Sequence, residues 1–129
     1  EAARQELGYE YVELEELLKK SDIVSLHAPL LDTTRHMIDA AAIETMKEGV
    51  VLINTARGEL IDTLALTQKI EKFRFVGLDV LEGEKEFDSD HPLLKAKNVI
   101  ITPHMAFYSD ASVKKIAEET MRLIGEYNV

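Results

Sequence analysis

Cysteine is absent from the 129 residues, which excludes disulfide staples, thiolate catalysis and every zinc site that needs sulfur. A reducing compartment is compatible with that. Positive charge is scarce: 15 Lys and Arg stand against 24 Asp and Glu, a formal net charge of −9. The sequence-independent part of phosphate binding needs a basic surface, so nucleic acid and anionic membranes are excluded as partners. An acidic domain can still hold an anion locally. No apolar run approaches the ~20 residues that span a bilayer, and the acidic start EAARQELG is unlike a signal peptide. A soluble, cytoplasmic protein is the expectation. None of the four histidines pairs with another at ligand spacing, so a metal site is unsupported.

Apolar residues make up 46% of the chain, the share of an ordinary globular protein, and the length suits one domain over residues 1–129. Apolar runs alternate with helical patterns along the whole length, without a repeat or a low-complexity stretch. That alternation predicts an α/β fold. Residues 22–26 (DIVSL), 50–54 (VVLIN), 75–79 (FVGLD) and 98–102 (NVIIT) are continuous and β-branched, as parallel strands are when helices cover both faces of their sheet. Residues 9–12 alternate and would make a fifth, edge strand. Leu14, Leu17 and Leu18 share a face of a first helix, and Asp39 is placed to cap a helix from Ala40 to Lys47 that Gly49 ends. Asp62 would cap a helix carrying Leu66, Ile70 and Phe73. The last helix, from about Ser112 to Tyr127, would pack through Val113, Ile116, Ala117, Thr120 and Ile124. Met37, Met46 and Met121 are read as core, His36 and His91 as surface, and residues 82–97 as a loop.

In open α/β sheets the ligand lies beyond the carboxyl ends of the strands. The four runs lead into His27-Ala28-Pro29, into Thr55-Ala56-Arg57-Gly58, into Asp79 followed by Glu82 and Glu84, and into Pro103-His104. A parallel sheet therefore gathers an arginine, two or three carboxylates and two histidines on one edge. Each also has a plain structural explanation. Asp79 could merely finish a strand, Glu82 to Glu86 could be a solvated charge run, and His27 with its neighbours could only shape a cleft. Arg57 is followed by Gly58, which admits close backbone approach to a ligand. His104 is tethered to a rigid strand and suits proton transfer.

Four ordered motifs, SDIVSLHAPL (21–30), MKEGVVLINTARG (46–58), GLDVLE (77–82) and NVIITPH (98–104), strongly resemble the NAD-dependent D-2-hydroxyacid dehydrogenases. EGEKE after Asp79 and AFYS after His104 resemble the D-lactate and D-2-hydroxyisocaproate branch most. The resemblance implies that Arg57 binds the substrate carboxylate, that His104 is the general acid/base and that Glu84, five residues beyond Asp79, is its acidic partner. It places NAD contacts on Ala28, Pro29, Thr34, Thr55, Ala56, Arg57 and Asp79. Arg57 would clamp a small 2-oxo acid bidentately, hydride would pass from nicotinamide to C2, and a carboxylate beside His104 would favour its proton-donating form.

The family enters its cofactor domain through a strand, a Gly-x-Gly-x-x-Gly turn and a helix, and Gly49, Gly58, Gly77 and Gly83 do not compose that fingerprint. The pyrophosphate cradle is therefore missing from these residues. The expectation is the C-terminal half of a cofactor domain, a partial Rossmann or flavodoxin-like sheet of four or five strands with helices on both faces. The alternative is an inactive, excised half-domain of flavodoxin-like size. Residues 9–12 would swing in to cover the bare edge of 22–26, and leftover apolar surface would drive assembly into a homo-oligomer.

Overall fold

β-Branched runs form a single sheet in the computed structural model, which describes residues 8–83 and 89–127. Its strands are β1 (Ile23–Leu26), β2 (Val50–Asn54), β3 (Phe73–Leu78) and β4 (Val99–Ile101). All neighbours are parallel and the order is β1-β2-β3-β4. The α/β class and parallel sheet are those expected from the sequence.

The connections carry helices α1 (Leu14–Lys20), α2 (Ala40–Thr45), α3 (Thr63–Gln68) and α4 (Pro92–Lys95), and α5 (Asp110–Tyr127) ends the described chain. Asp39 and Asp62 cap α2 and α3 as anticipated, accepting from the amides of Ala42 at 2.8 Å and Ala65 at 3.0 Å. Each such cap contributes about 1 kcal/mol. Leu18, Ile43, Met46, Leu60, Leu66 and Leu93 from the connections pack on Val24, Leu26, Leu52, Val76 and Leu78 of the strands. Each fully buried leucine in this layer stabilises the fold by roughly 1.5–3 kcal/mol.

Several expectations are corrected. Residues 9–12 form no strand, so among the described residues the sheet has four strands with β1 at one edge. Residues 13–21 are too few for a parallel crossover, which takes about a dozen, and α1 already occupies most of them. Tyr9 and Tyr11 instead meet each other edge to face, centroids 5.3 Å apart, on the surface. Helical cover is one-sided among the described residues: on the opposite face Ile23 and Ile100 are exposed, and Ile53 and Phe75 are half-buried. Helix α5 buries none of its residues, and the stripe of Val113, Ile116 and Ile124 faces outward. Met121 is 69% exposed, whereas Met46 is core.

Helix α3 stops at Gln68, with the Lys69 amide shared between the carbonyls of Ala65 and Leu66, so Ile70 lies in a 3-10 turn and Phe73 opens β3. Helix α2 ends at Thr45, and left-handed Gly49 (φ 73°) is the last turn residue before β2 rather than the helix end. Within the expected loop 82–97, α4 forms one turn capped by His91, whose Nδ1 accepts from the Leu93 amide at 3.2 Å. No helix of the described residues is long and apolar enough to cross a membrane.

Candidate functional site

Parallel pairing continues past the strands and aligns their carboxyl ends. The Asp79 amide donates to the Asn54 carbonyl at 2.9 Å, and the Thr102 amide donates to the Leu78 carbonyl at 2.9 Å. The segments after β2, β3 and β4 therefore leave the sheet side by side. Arg57, Asp79 and His104 lie on these segments, at the edge where the sequence places them.

Buried Asn54 shapes the first segment. Its side-chain amide donates to the Arg57 carbonyl at 2.8 Å and its Oδ1 accepts from the Ala56 amide at 3.0 Å. This is a side-chain turn of the kind Asn forms at strand ends, and it fixes the backbone of Thr55, Ala56 and Arg57. The Arg57 side chain is exposed and its Nη1 donates to the Ala56 carbonyl at 2.6 Å. Next to it Gly58 is buried, and a Cβ added there would stand 2.1 Å from the Leu81 carbonyl carbon and 2.3 Å from the Glu82 nitrogen. Glycine is required here because two backbones touch.

Asp79 is 5% exposed and its carboxylate turns toward the segment after β4. Oδ1 accepts from Thr102 Oγ1 at 2.5 Å and from the Met105 amide at 2.9 Å, and Oδ2 accepts from the Ala106 amide at 2.8 Å. Burial pushes the acid's pKa up, but the hydrogen bonds from Thr102, Ala106 and Met105, aided by the charge of His104, outweigh it and hold the pKa below its ordinary value. The carboxylate thus staples residues 102–106. Within that staple His104 is exposed, adopts a left-handed backbone (φ 51°) and donates its amide to the Thr102 carbonyl at 3.0 Å. Asp79, Leu81, Thr102 and His104 border a hollow of about 300 Å³.

The other anticipated contacts lie after β1 and β2. Ala28 is half-buried against the core and Pro29 is exposed. Thr34 braces its own loop, its hydroxyl donating to the Pro29 carbonyl at 2.7 Å and accepting from the Leu31 amide at 2.8 Å. Thr55 is exposed and Ala56 half-buried. His27 bonds Ser25 Oγ through Nε2 at 2.8 Å. Glu84 lies outside the described residues. Glu82, the other acid after Asp79, is engaged with His36, Nε2 to Oε1, at 2.7 Å. His36 is accordingly half-buried rather than a plain surface residue.

Reading from sequence missed Asn54, Thr102 and the His36–Glu82 pair. An Asn directly before Thr-Ala-Arg-Gly is a turn signal that could have exposed the first. The other two depend on contacts between residues 23 and 46 positions apart, for which the sequence holds no local sign.

Comparison with known proteins adds a lineage. Residues 1–106 match the family model of the D-isomer specific 2-hydroxyacid dehydrogenase NAD-binding domain. A D-specific alpha-keto acid dehydrogenase of Enterococcus faecalis is 46% identical over 127 residues, covering 88% of this chain and 39% of that protein. Glyoxylate reductase 1 of Saccharomyces cerevisiae is 46% identical over 118 residues, 90% of this chain and 33% of its own length. The solved D-lactate dehydrogenase of Aquifex aeolicus, complexed with NAD and lactic acid, superposes with a TM-score of 0.85 at 42% identity, covering 95% of this chain and 42% of the other. The chain therefore spans well under half the length of these relatives.

Proposed function

From the premise that the chain belongs to the D-isomer specific 2-hydroxyacid dehydrogenases, as a portion of their NAD-binding domain, we propose that it supplies the reacting edge of an enzyme interconverting a small 2-oxo acid and its D-2-hydroxy acid, of the pyruvate and D-lactate kind. The observation that supports this reading is that Arg57 and His104 lie on segments leaving the same sheet edge, on backbone that Asn54 and Asp79 hold in place.

The residues present fit the nicotinamide end of a dinucleotide. The 300 Å³ hollow is far too small for the whole cofactor but sufficient for one ring and a small acid. Asp79, Thr102 and His104 border it, and exposed Thr55 and Arg57 lie on the neighbouring segment after β2, with Ala28, Pro29 and Thr34 assigned to the cofactor from the segment after β1. No Gly-x-Gly-x-x-Gly turn occurs in these 129 residues, so the pyrophosphate lacks its usual support. NAD, when bound, supplies or accepts the hydride at C2 of the substrate.

The chain's own residues do the rest. The Arg57 guanidinium holds the substrate carboxylate through two parallel N–H···O bonds and sets the adjacent carbonyl in place. His104 gives a proton to the carbonyl oxygen during reduction and takes it back in oxidation. Glu84 is assigned as the acid that favours protonated His104, and the engagement of Glu82 by His36 supports choosing Glu84 over its neighbour. Because a bound, oriented dinucleotide is indispensable, residues 1–129 alone are assigned as an inactive portion of one cofactor domain, and turnover to the longer polypeptide.

The test is steady-state NADH oxidation by a full-length enzyme carrying this chain, with pyruvate, glyoxylate and 2-oxoisocaproate. Arg57→Lys should raise KM for the 2-oxo acid and lower kcat together, since a point charge replaces a bidentate fork. His104→Gln should abolish turnover while leaving NADH binding intact. A His104→Gln enzyme that retains its rate refutes the assignment.

A further inference from the structure

We infer that His36 and Glu82 are positioning residues, a clamp that sets the Arg57 turn against the backbone leading to residue 84; this rests on the reading of Arg57 as the substrate's carboxylate ligand. Three segments far apart in sequence meet here. His36 sits on the 3-10 turn that follows Arg57 (Gly58–Leu60), its amide donating to the Glu59 carbonyl at 2.8 Å. The pairing continues along the chain beyond Glu59, with the Ile38 amide on the Leu60 carbonyl at 3.0 Å and the Asp62 amide on the Ile38 carbonyl at 3.1 Å. The same turn abuts Leu81 and Glu82 through Gly58, where no Cβ fits.

The side chains close the triangle. His36 Nε2 lies 2.7 Å from Glu82 Oε1. A carboxylate only accepts, so the imidazole carries its proton on Nε2. The second Glu82 oxygen makes a long 3.5 Å contact with the Thr63 amide at the start of α3. His36 also holds a left-handed backbone, φ 52°, a conformation that a residue with a Cβ keeps only where its surroundings enforce it. A surface ion pair at the ends of two free side chains would need neither this backbone nor the glycine contact. Here both partners are partly buried, His36 is bonded to the turn through its amide, and the Glu82 backbone abuts the same turn at Gly58. Loss of either side chain would free the Leu81–Glu82 backbone to move relative to Arg57. A displacement of about 1 Å between reacting groups is enough to slow chemistry on the order of 100-fold.

Two measurements test the clamp separately from the function. In the 129-residue chain, His36→Leu and Glu82→Ala should each speed amide exchange at Leu60 and Ile61 by about 10-fold, with Leu52 and Val76 unchanged, and the double variant should be no faster than either single one. His36→Gln, which keeps an N–H donor, should restore most of the protection. In the full-length enzyme the same two losses should lower kcat by about 10-fold or more and raise KM for the 2-oxo acid, with KM for NADH unmoved. Unchanged exchange at Leu60 and Ile61 overturns the clamp whatever the kinetics. Altered exchange with unaltered kcat and KM overturns its positioning role. A wild-type enzyme inactive toward every 2-oxo acid overturns the functional reading and the positioning role with it, while the exchange data still decide whether the clamp exists.

Discussion

Replacing Gly58 by alanine probes the contact on which the Arg57 turn depends. The added Cβ would stand 2.1 Å from the Leu81 carbonyl carbon and 2.3 Å from both the Leu81 oxygen and the Glu82 nitrogen. Ordinary carbon contacts lie near 3.5 Å or more, so one backbone must retreat by roughly 1.4 Å. Neither side yields easily, because Leu60 and Val80 beside the contact are buried. Overpacking costs about 1–3 kcal/mol when side chains can adjust; with backbone as the obstacle the loss should reach about 3 kcal/mol. In a chain of this size that lowers Tm by roughly 10 °C. Two other glycines serve as controls. At Gly77 a Cβ would meet only Phe75 at 3.4 Å and Ile53 at 4.0 Å, and the change should stay within about 0.5 kcal/mol. At Gly49 nothing lies within 4 Å but φ is 73°, which costs about 1–2 kcal/mol for a residue with a Cβ. Denaturant unfolding of the three alanine variants should therefore rank Gly58 worst, Gly49 next and Gly77 least. Equal midpoints for the Gly58 and Gly77 variants would refute the packing argument and remove one side of the proposed clamp.

Asp79→Asn should destabilise the fold by about 2 kcal/mol at neutral pH, because an amide NH2 then opposes buried N–H donors. Since the acid's folded pKa lies below its ordinary 3.8, its contribution is complete above that value and is lost as pH falls through the lower folded one. The stability gap between wild type and variant should thus narrow below about pH 4, and a gap unchanged down to pH 2 contradicts the assignment. Met121→Ser on exposed α5 should shift stability by no more than about 0.5 kcal/mol, whereas Met46→Ala should cost about 2–5 kcal/mol; equal losses would mean that α5 is packed. NADH mixed with pyruvate and the 129-residue chain alone should not be oxidised at an appreciable rate, and oxidation that vanishes on His104→Ala would overturn that expectation.

What was legible in the sequence was whatever a short stretch of chain decides for itself. Continuous β-branched runs placed the four strands within two residues of their ends, and Asp39 and Asp62 marked two helix starts because a cap is a bond between near neighbours. The edge carrying Arg57, Asp79 and His104 followed from parallel order alone. Burial was less legible. The 3.6-residue stripe of α5 is real, yet a stripe shows only that a face is apolar, and none of these residues is covered. Alternation at residues 9–12 suggested a strand, but strand formation requires a partner within reach, and α1 begins too soon to allow one.

The site shows the same division in a sharper form. An acid at the end of β3 reads equally as a strand terminus and as a ligand contact, and the choice depends on where residues 102–106 lie. With His104 left-handed, the amides of Met105 and Ala106 converge on one anion, as successive N–H groups do around such a residue, and the Asp79 carboxylate is that anion. The backbone strain at His104 and the burial of charge at Asp79 are therefore one arrangement: each would be costly alone, and each supplies what the other lacks. The imidazole proposed to transfer the proton, next to Pro103, sits on backbone that the Asp79 carboxylate holds, a geometry that residue types at this edge do not announce and that becomes visible only in the fold.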